Sequence, residues 1–531
     1  MTRRERVAKV NDLREGEMRE VTVGERRILL ARINGEYRAT SGTCNHHGAP
    51  LAEGLLIGHH VRCPWHHSRF NLLTGDLEVS PALDALAVFD VGIEGDDVMV
   101  ELPEGESPEH RHMPMAEYDP QADPRTFVIL GTGSAGGAAA EMLRQKGFRG
   151  RVIMVTHENF LPYDRPPLSK NYLRSWEDTS PPLLRDEEFY REFTIDVKTG
   201  RRVVQVDTTA KEVIFEDKSF IGYDRLLIAT GGVPRQLETP GVGLKRIFTL
   251  RSLADCNRIR ETIRESQRAV VVGASFIGME TAACMRERGL EVTVVAPDRV
   301  PFEKQLGEPI GRMYQQLHEE KGVTFRLGRQ VARFEGDDRV RAAVLDDGER
   351  LEADMVVVGI GVRPATEFLR GVDRNDDGSV NVDEHFQVIN DVYAAGDVAC
   401  FPDWRTGERT RIEHWCVAEE QGRVAASNMA DVEAEYRTSP FFWTNQYRVI
   451  FQYVGHAGRW DDIVIDGDVS QRTFVAWYIK DGRVLAVGGC NESMKIMAAA
   501  ELMLVDQLPS PDEARAGVDL VAMARDIRVH A

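Results

Sequence analysis

Residues 127–136 read Phe-Val-Ile-Leu-Gly-Thr-Gly-Ser-Ala-Gly. Four apolar residues of a short buried strand run into a glycine turn. A helical pattern follows over residues 138–146, then a second strand, Val152-Ile-Met-Val. This order spells a βαβ unit. In the turn, Gly131 permits the bend, Gly133 lets backbone approach a pyrophosphate, and Gly136 lets helix meet strand. With Ser134 and Ala135, the turn would hold phosphates at the positive end of a helix. The acidic residue expected about 20 positions later as a ribose ligand is Glu158.

The pattern recurs roughly 140 residues on. Ala269-Val-Val-Val leads into Gly273-Ala-Ser275-Phe-Ile277-Gly278, a helix and Val292-Thr-Val-Val. Two such units predict two nucleotide-binding domains with similar wiring. In the second, Ser275 takes the place of the middle glycine. Ala296 stands where an acid would select the 2′-hydroxyl of NADH. Arg299 either favours the 2′-phosphate of NADPH or is a solvated surface charge, so the choice between NADH and NADPH stays open.

Upstream, residues 1–103 hold short alternating runs such as Val21-Thr-Val and Val98-Met-Val-Glu-Leu, the texture of a small all-β domain. It carries Cys44-Asn45-His46 and Cys63-Pro64-Trp65-His66. Two thiolates and two imidazoles can hold the two irons of a [2Fe–2S] cluster, and neutral imidazole raises its potential above that of an all-thiolate site. Zinc also accepts Cys₂His₂ sets. Finger sites, however, pair Cys with Cys and His with His, whereas each short motif here supplies one of each. His47, His59, His60 and His67 read as solvated or neighbouring groups rather than ligands. Residues 104–124 are Pro-rich and aperiodic, a linker that would let the domain dock and undock.

The whole chain has 531 residues with 66 Lys+Arg against 85 Asp+Glu, a net charge of −19. That balance disfavours nucleic acid and anionic membrane surfaces. Seven cysteines are too few for a disulfide framework, and those outside the two motifs read as small buried hydrophobes. The N-terminus has no apolar signal region and no stretch approaches a membrane span, so the expectation is a soluble, cytoplasmic protein.

Further motifs are Leu161-Pro-Tyr-Asp-Arg165-Pro-Pro-Leu-Ser-Lys170, Ile228-Ala-Thr230-Gly231-Gly232, Val358-Gly-Ile-Gly361-Val-Arg-Pro-Ala365, Tyr393-Ala-Ala-Gly-Asp397, Glu413-His-Trp415 and Pro440-Phe-Phe-Trp443-Thr-Asn-Gln446. Together they resemble the ferredoxin-reductase and apoptosis-inducing-factor family of FAD proteins, and within it the members that bear a Rieske domain. The loops around the four candidate ligands resemble Rieske loops of the lower-potential class, because Ala49 and Trp65 stand where high-potential proteins carry extra cysteines. His67 stands where such loops often have Gly.

The resemblance implies a multidomain architecture. An all-β Rieske domain (1–103) and a linker (104–124) would precede a Rossmann-like α/β FAD domain in two parts (125–245 and 366–437). An α/β NAD(P)H domain (246–365) would interrupt it, and an α+β C-terminal domain (438–531) would follow. It also implies site residues. Asp397 would hold the flavin ribityl hydroxyls. Arg165, Thr230, Gly231 and Arg251 would line FAD, and Val203 would contact adenine. Gly273, Ile277 and Gly278 of the second turn, and Gly361 of the Val358–Ala365 motif, would be cofactor-binding. Lys170 would sit near the flavin N5 edge, paired to Glu280. Trp415 would border the pyrimidine ring and Trp443 would cover the flavin. Plain core aromatics and a structural ion pair are the other readings of Trp415, Trp443 and Lys170–Glu280.

Between Gly131 and Lys170 there is no cysteine, which argues against the dithiol chemistry of disulfide reductases on this scaffold. The expected activity is hydride transfer from NADH or NADPH to FAD, then single-electron transfer through the Rieske cluster to an acceptor protein or small oxidant. A slow redox signalling protein and the reductase component of an oxygenase system are the alternatives. A homodimer is an open expectation.

Overall fold

The structure is a computed structural model that describes residues 2–103, 110–177 and 179–527. The first glycine turn leaves the strand Thr126–Leu130, whose residues from Phe127 onward are buried. This strand lies inside a six-stranded sheet. In spatial order the strands are Ile195–Lys198, Arg151–Val155, Thr126–Leu130, Arg225–Ile228, Val392–Ala394 and Gln387–Ile389; the first five run parallel and the last antiparallel. Continuous apolar runs such as Phe127-Val-Ile-Leu suit a parallel sheet covered on both faces.

The second turn leaves Arg268–Val272, the middle strand of a five-stranded parallel sheet with Ile247–Thr249, Met355–Val358, Glu291–Ala296 and Val323–Leu327. In both sheets the turn opens a twelve-residue helix, Ser134–Gln145 and Phe276–Glu287. The C-terminal part is a five-stranded antiparallel sheet in the order Phe441–Gln446, Val449–Gly455, Arg483–Cys490, Thr473–Lys480, Asp462–Asp468. It is backed by the helix Ser493–Leu504. The N-terminal part is built from small antiparallel sheets, one of which (Leu55–Ile57, His60–Arg62, Arg69–Asn71, Leu77–Val79) carries the second Cys/His loop between its middle strands.

The N-terminal unit is docked on the rest. Leu55 and Ile57 share one apolar core with Trp477, Ile496 and Met497. Arg62 Nε donates to Glu501 Oε1 at 2.6 Å, both side chains being under 8% exposed. The Ser80 N–H donates to Glu420 Oε1 at 2.7 Å, and Gln452 Nε2 donates to the carbonyls of Pro64 and Trp65 at 2.9 and 3.1 Å. Arg185 bridges Asp84 (2.8 Å) and Glu141 (2.9 Å).

The expectation of a free tether over 104–124 is corrected for its described part. Residues 104–109 lie outside the described residues, but from His110 the chain is fastened. His110–Arg111 pairs with Ala85–Leu86, His112 contacts Asp84 at 2.8 Å, and the N–H groups of Ala116 and Asp119 donate to the carbonyls of Arg144 and Arg149. Polar, Pro-rich composition signals missing periodicity; it does not report whether neighbouring surface offers partners. Among the described residues, no helix is long and apolar enough to cross a membrane.

Candidate active site and metal centre

The two Cys/His loops have one shape. In the first, the Cys44 N–H donates to Ala49 O (2.9 Å) and the Gly48 N–H to Cys44 O (2.9 Å). In the second, the Cys63 N–H donates to Ser68 O (2.8 Å) and the His67 N–H to Cys63 O (3.2 Å). The fourth residue after each cysteine is left-handed: Gly48 has φ +75° and His67 φ +66°. A non-glycine residue is strained there by about 1–2 kcal/mol. Burial offsets it, because the His67 ring stacks on Phe441 with centroids 3.9 Å apart. Of the two readings, solvated or neighbouring group, His67 takes the second: it is a buried neighbour of the ligand loop. His60 is buried too, held between Glu78 (3.0 Å) and Arg69 (2.9 Å), while His59 is half-buried and His47 exposed.

These loops bring the Cys44 and Cys63 thiols into contact with each other. His46 Nδ1 lies 2.9 Å from His66 Nδ1. Burial pushes His46 down to about 3 and His66 well below its usual range, which favours the neutral imidazole that binds metal. Like donors pair with like. Among the described residues the one group of three or more such donors within 4.8 Å of one another is His46, His47 and Asp164, not any three of the expected ligands. A single zinc with bonds of about 2.0–2.3 Å would need all four close together. Two irons, one served by thiolates and one by imidazoles, do not, so the donor set fits a Rieske cluster. Asp164, buried and pushed up to about 7 by burial, lies 4.0 Å from His46 Nε2 and 3.7 Å from His47 Nε2.

A cavity of about 1170 Å³ opens between the two parallel sheets and the C-terminal sheet. This exceeds the usual range of a site for one drug-sized ligand, and both turns contribute to it. Gly131, Gly133, Ser134 and Ala135 line it at the first turn, Ile277 at the second, and Gly361 in the loop after Met355–Val358. Around its wall stand Glu158, Arg165, Val203, Thr230, Gly231 and Arg251. Lys170, Glu280, Asp397, Trp415 and Trp443 complete the set of expected residues that face it.

Gly136, Gly273 and Gly278 do not line it. A Cβ on Gly136 would meet Gly131 O at 2.1 Å, one on Gly278 would meet Gly273 O at 2.1 Å, and one on Gly273 would meet Gly359 O at 2.3 Å. At these three positions the absence of a side chain lets backbones approach, so that their neighbours can face the cavity.

Three helices begin at the cavity without a side-chain cap: Ser134–Gln145 after Gly133, Phe276–Glu287 after Ser275, and Trp415–Met429 after His414. Their free N–H groups and positive ends suit phosphate and hydroxyl oxygens. Glu158 is held by Arg165 at 2.6 Å and by Tyr163 at 2.5 Å. Arg251 pairs with Asp397 at 2.8 Å, a contact the sequence reading missed although it named both residues. Lys170 Nζ lies 2.8 Å from Glu280 Oε2, and Ser169 and Thr444 also donate to that carboxylate. Arg299 is engaged by Glu303 through both its guanidinium and its backbone N–H, on an exposed surface.

Trp443 connects the two centres. It lines the cavity, and its ring lies 4.1 Å from that of His66, centroid to centroid.

The comparisons with known proteins agree with this arrangement. Residues 4–90 match the Rieske [2Fe-2S] domain, 125–422 the pyridine nucleotide-disulphide oxidoreductase family, and 441–524 the reductase C-terminal family. Apoptosis-inducing factor 3 of Homo sapiens is 39% identical over 94% of this chain and 83% of its own length. The chain belongs to the apoptosis-inducing-factor-like ferredoxin reductases that carry a Rieske domain. Solved structures of the reductase part are similar as well. The ferredoxin reductase for the CYP199A2 system from Rhodopseudomonas palustris matches with TM-score 0.72 and 31% identity, over 75% of this chain and all of that one. The covalent putidaredoxin reductase–putidaredoxin complex matches with TM-score 0.71 and 30% identity, over 76% of this chain and 99% of that one. This Rieske-bearing reductase is an FAD-dependent NAD(P)H oxidoreductase, and its cofactors are FAD, NAD(P)H and a [2Fe–2S] cluster.

Proposed function

We propose that this reductase passes electrons from NAD(P)H through FAD to its own docked Rieske cluster, and from there to a one-electron acceptor. Bound FAD would supply the conversion of a two-electron donor into single-electron steps. The chain's residues supply the placement. The uncapped helix ends behind Gly133 and His414 would hold the diphosphate and ribityl oxygens, with Asp397 at the latter, and the helix behind Ser275 would face the nicotinamide nucleotide. Glu158, fixed by Arg165, would take the adenosine ribose, and the Val203 backbone the adenine. Lys170, anchored by Glu280, would present its ammonium at the flavin edge. Trp415 and Trp443 would enclose the ring and exclude water, and Cys44, Cys63, His46 and His66 would hold the cluster.

One observation carries the reading: Trp443, a wall of the flavin cavity, also touches the candidate iron ligand His66. In the putidaredoxin complex the ferredoxin is a separate protein; here a Rieske domain within the same chain would take that part. An external ferredoxin or an oxygenase component would then draw electrons from the cluster. Anaerobic titration with NADH and NADPH, followed by optical and EPR spectra, tests this. Reduction of both centres is expected. A cluster that dithionite reduces but NAD(P)H leaves oxidised would overturn the relay.

A further inference from the structure

The strand Phe441–Gln446 turns alternate side chains to opposite faces. Phe441 and Trp443 touch His67 and His66 on the docked Rieske unit. Thr444 and Gln446 point the other way, into a chain of hydrogen bonds that ends on the helix Glu308–Glu320. Thr444 Oγ1 lies 2.8 Å from Glu280 Oε1, Gln446 Nε2 lies 3.0 Å from Thr444 Oγ1, and Gln446 Oε1 lies 2.7 Å from His318 Nε2. Thr444, Gln446 and His318 are completely buried.

The chain has a forced direction. An ionised Glu280 can only accept, so the Thr444 hydroxyl must donate to it. The Thr444 oxygen must then accept from the Gln446 amide NH₂. The Gln446 carbonyl faces His318, so His318 must carry its proton on Nε2. Turning the amide over would set two oxygens against each other or take the Thr444 proton away from Glu280. Burial agrees, since it pushes His318 down to about 4 and keeps the ring neutral, and Nδ1 has no partner among the described residues. The backbone right after Gln446 is also constrained: Tyr447 and Arg448 both adopt left-handed φ, +52° and +66°. Neither is the Gly, Asn or Asp that such a turn prefers, and strain of this kind persists where surrounding structure over-determines it.

We propose that Thr444, Gln446 and His318 are positioning residues for flavin reduction: they fix the Glu280 carboxylate, and through it the Lys170 ammonium. The inference rests on the proposed place of Lys170 and Glu280 at the flavin edge. It ties three parts of the chain, the first α/β unit (Ser169, Lys170), the second (Glu280, His318) and the C-terminal sheet (Thr444, Gln446), to one carboxylate.

The test compares the holoenzyme with Thr444→Val, Thr444→Ser and Gln446→Leu, alongside Lys170→Ala and Glu280→Gln. Flavin reduction by NADH is followed in single turnover, with the flavin midpoint potential and NAD⁺ affinity measured separately. Thr444→Val should slow reduction about ten- to a hundredfold, the scale of one hydrogen bond to a charged group. NAD⁺ affinity should stay unchanged, and the midpoint potential should fall as the cation loosens. Thr444→Ser should restore most of the rate, and Gln446→Leu should show a smaller loss in the same direction, which also serves if Thr444→Val fails to fold. Wild-type rate and potential in Thr444→Val and Gln446→Leu, with Lys170→Ala and Glu280→Gln slow, would overturn the proposal alone. Wild-type rates in Lys170→Ala and Glu280→Gln would overturn the reading beneath it. Equal losses in Thr444→Val and Thr444→Ser with unchanged potential would reduce the chain to a structural element.

Discussion

The His66 imidazole and the Trp443 indole lie with ring centroids 4.1 Å apart, one on the docked N-terminal unit and the other in the wall of the cavity between the sheets. An aromatic ring in that place shortens the gap any electron must cross. Trp443→Leu should slow the reduction of the cluster far more than the reduction of the flavin by NADH, and Trp443→Phe should fall between Leu and wild type. Stopped-flow absorbance with freeze-quench EPR separates the two phases. Equal cluster rates in all three proteins would exclude Trp443 from the route.

The docked arrangement depends on buried charge pairs. Glu501→Gln leaves the Arg62 guanidinium buried with a weakened partner, and breaking such a pair costs about 3 kcal/mol. Denaturant unfolding should register that loss. Flavin-to-cluster transfer, independent of solvent viscosity in the wild type, should become viscosity-dependent in the variant as the unit loosens.

Low pH should release the same contacts. Burial by itself would raise Glu501, but the charges of Arg62 and Arg69 outweigh it and hold the carboxyl below its usual value. Burial likewise opposes Asp84, and the hydrogen bonds and charge of Arg185 hold it low. Both folded values lie below the unfolded ones, near about 4. Their contribution is therefore complete above that range and disappears as pH falls through the lowered values. Stability measured against pH should be flat from these groups at neutrality and drop below about pH 4. The drop should be smaller in a variant carrying Asp84→Asn and Glu501→Gln.

Cys63→Ser should abolish the cluster without abolishing the flavin reaction. The purified variant should lack iron and acid-labile sulfide yet still reduce ferricyanide with NADH. Stoichiometric zinc in the wild-type protein would contradict the two-iron assignment.

Arg299 is held by Glu303 on an exposed surface, where ion pairs are worth little. Arg299→Ala should change the ratio of NADPH to NADH efficiency by less than about threefold. A larger loss confined to NADPH would show that the guanidinium leaves Glu303 for a 2′-phosphate.

Much of the site was legible because some chemistry is written in fixed local spacing. The two glycine turns announce themselves through small residues between an apolar run and a helix. The Cys/His loops do so through two short motifs whose geometry closes within six residues, as the matching hydrogen bonds of Cys44–Ala49 and Cys63–Ser68 show. Thr444, Gln446 and Asp164 stood inside quoted motifs with no role assigned to them, and His318 stood in none. Each is an ordinary polar residue in sequence, and only burial against a distant partner gives it work. The sequence left His67 open between solvated and neighbouring group for the same reason: its exposure is decided by Phe441, far along the chain.

The sequence by itself determined the two Cys/His motifs, both glycine turns and the order of the units, because these depend on residues within one turn or loop of each other. The tertiary structure alone decided that the N-terminal unit is docked, that Trp443 meets His66, and that one strand serves the Rieske unit on one face and Glu280 on the other. Such contacts join residues hundreds of positions apart, and their energies come from excluding water between surfaces. No local pattern encodes which surfaces will meet.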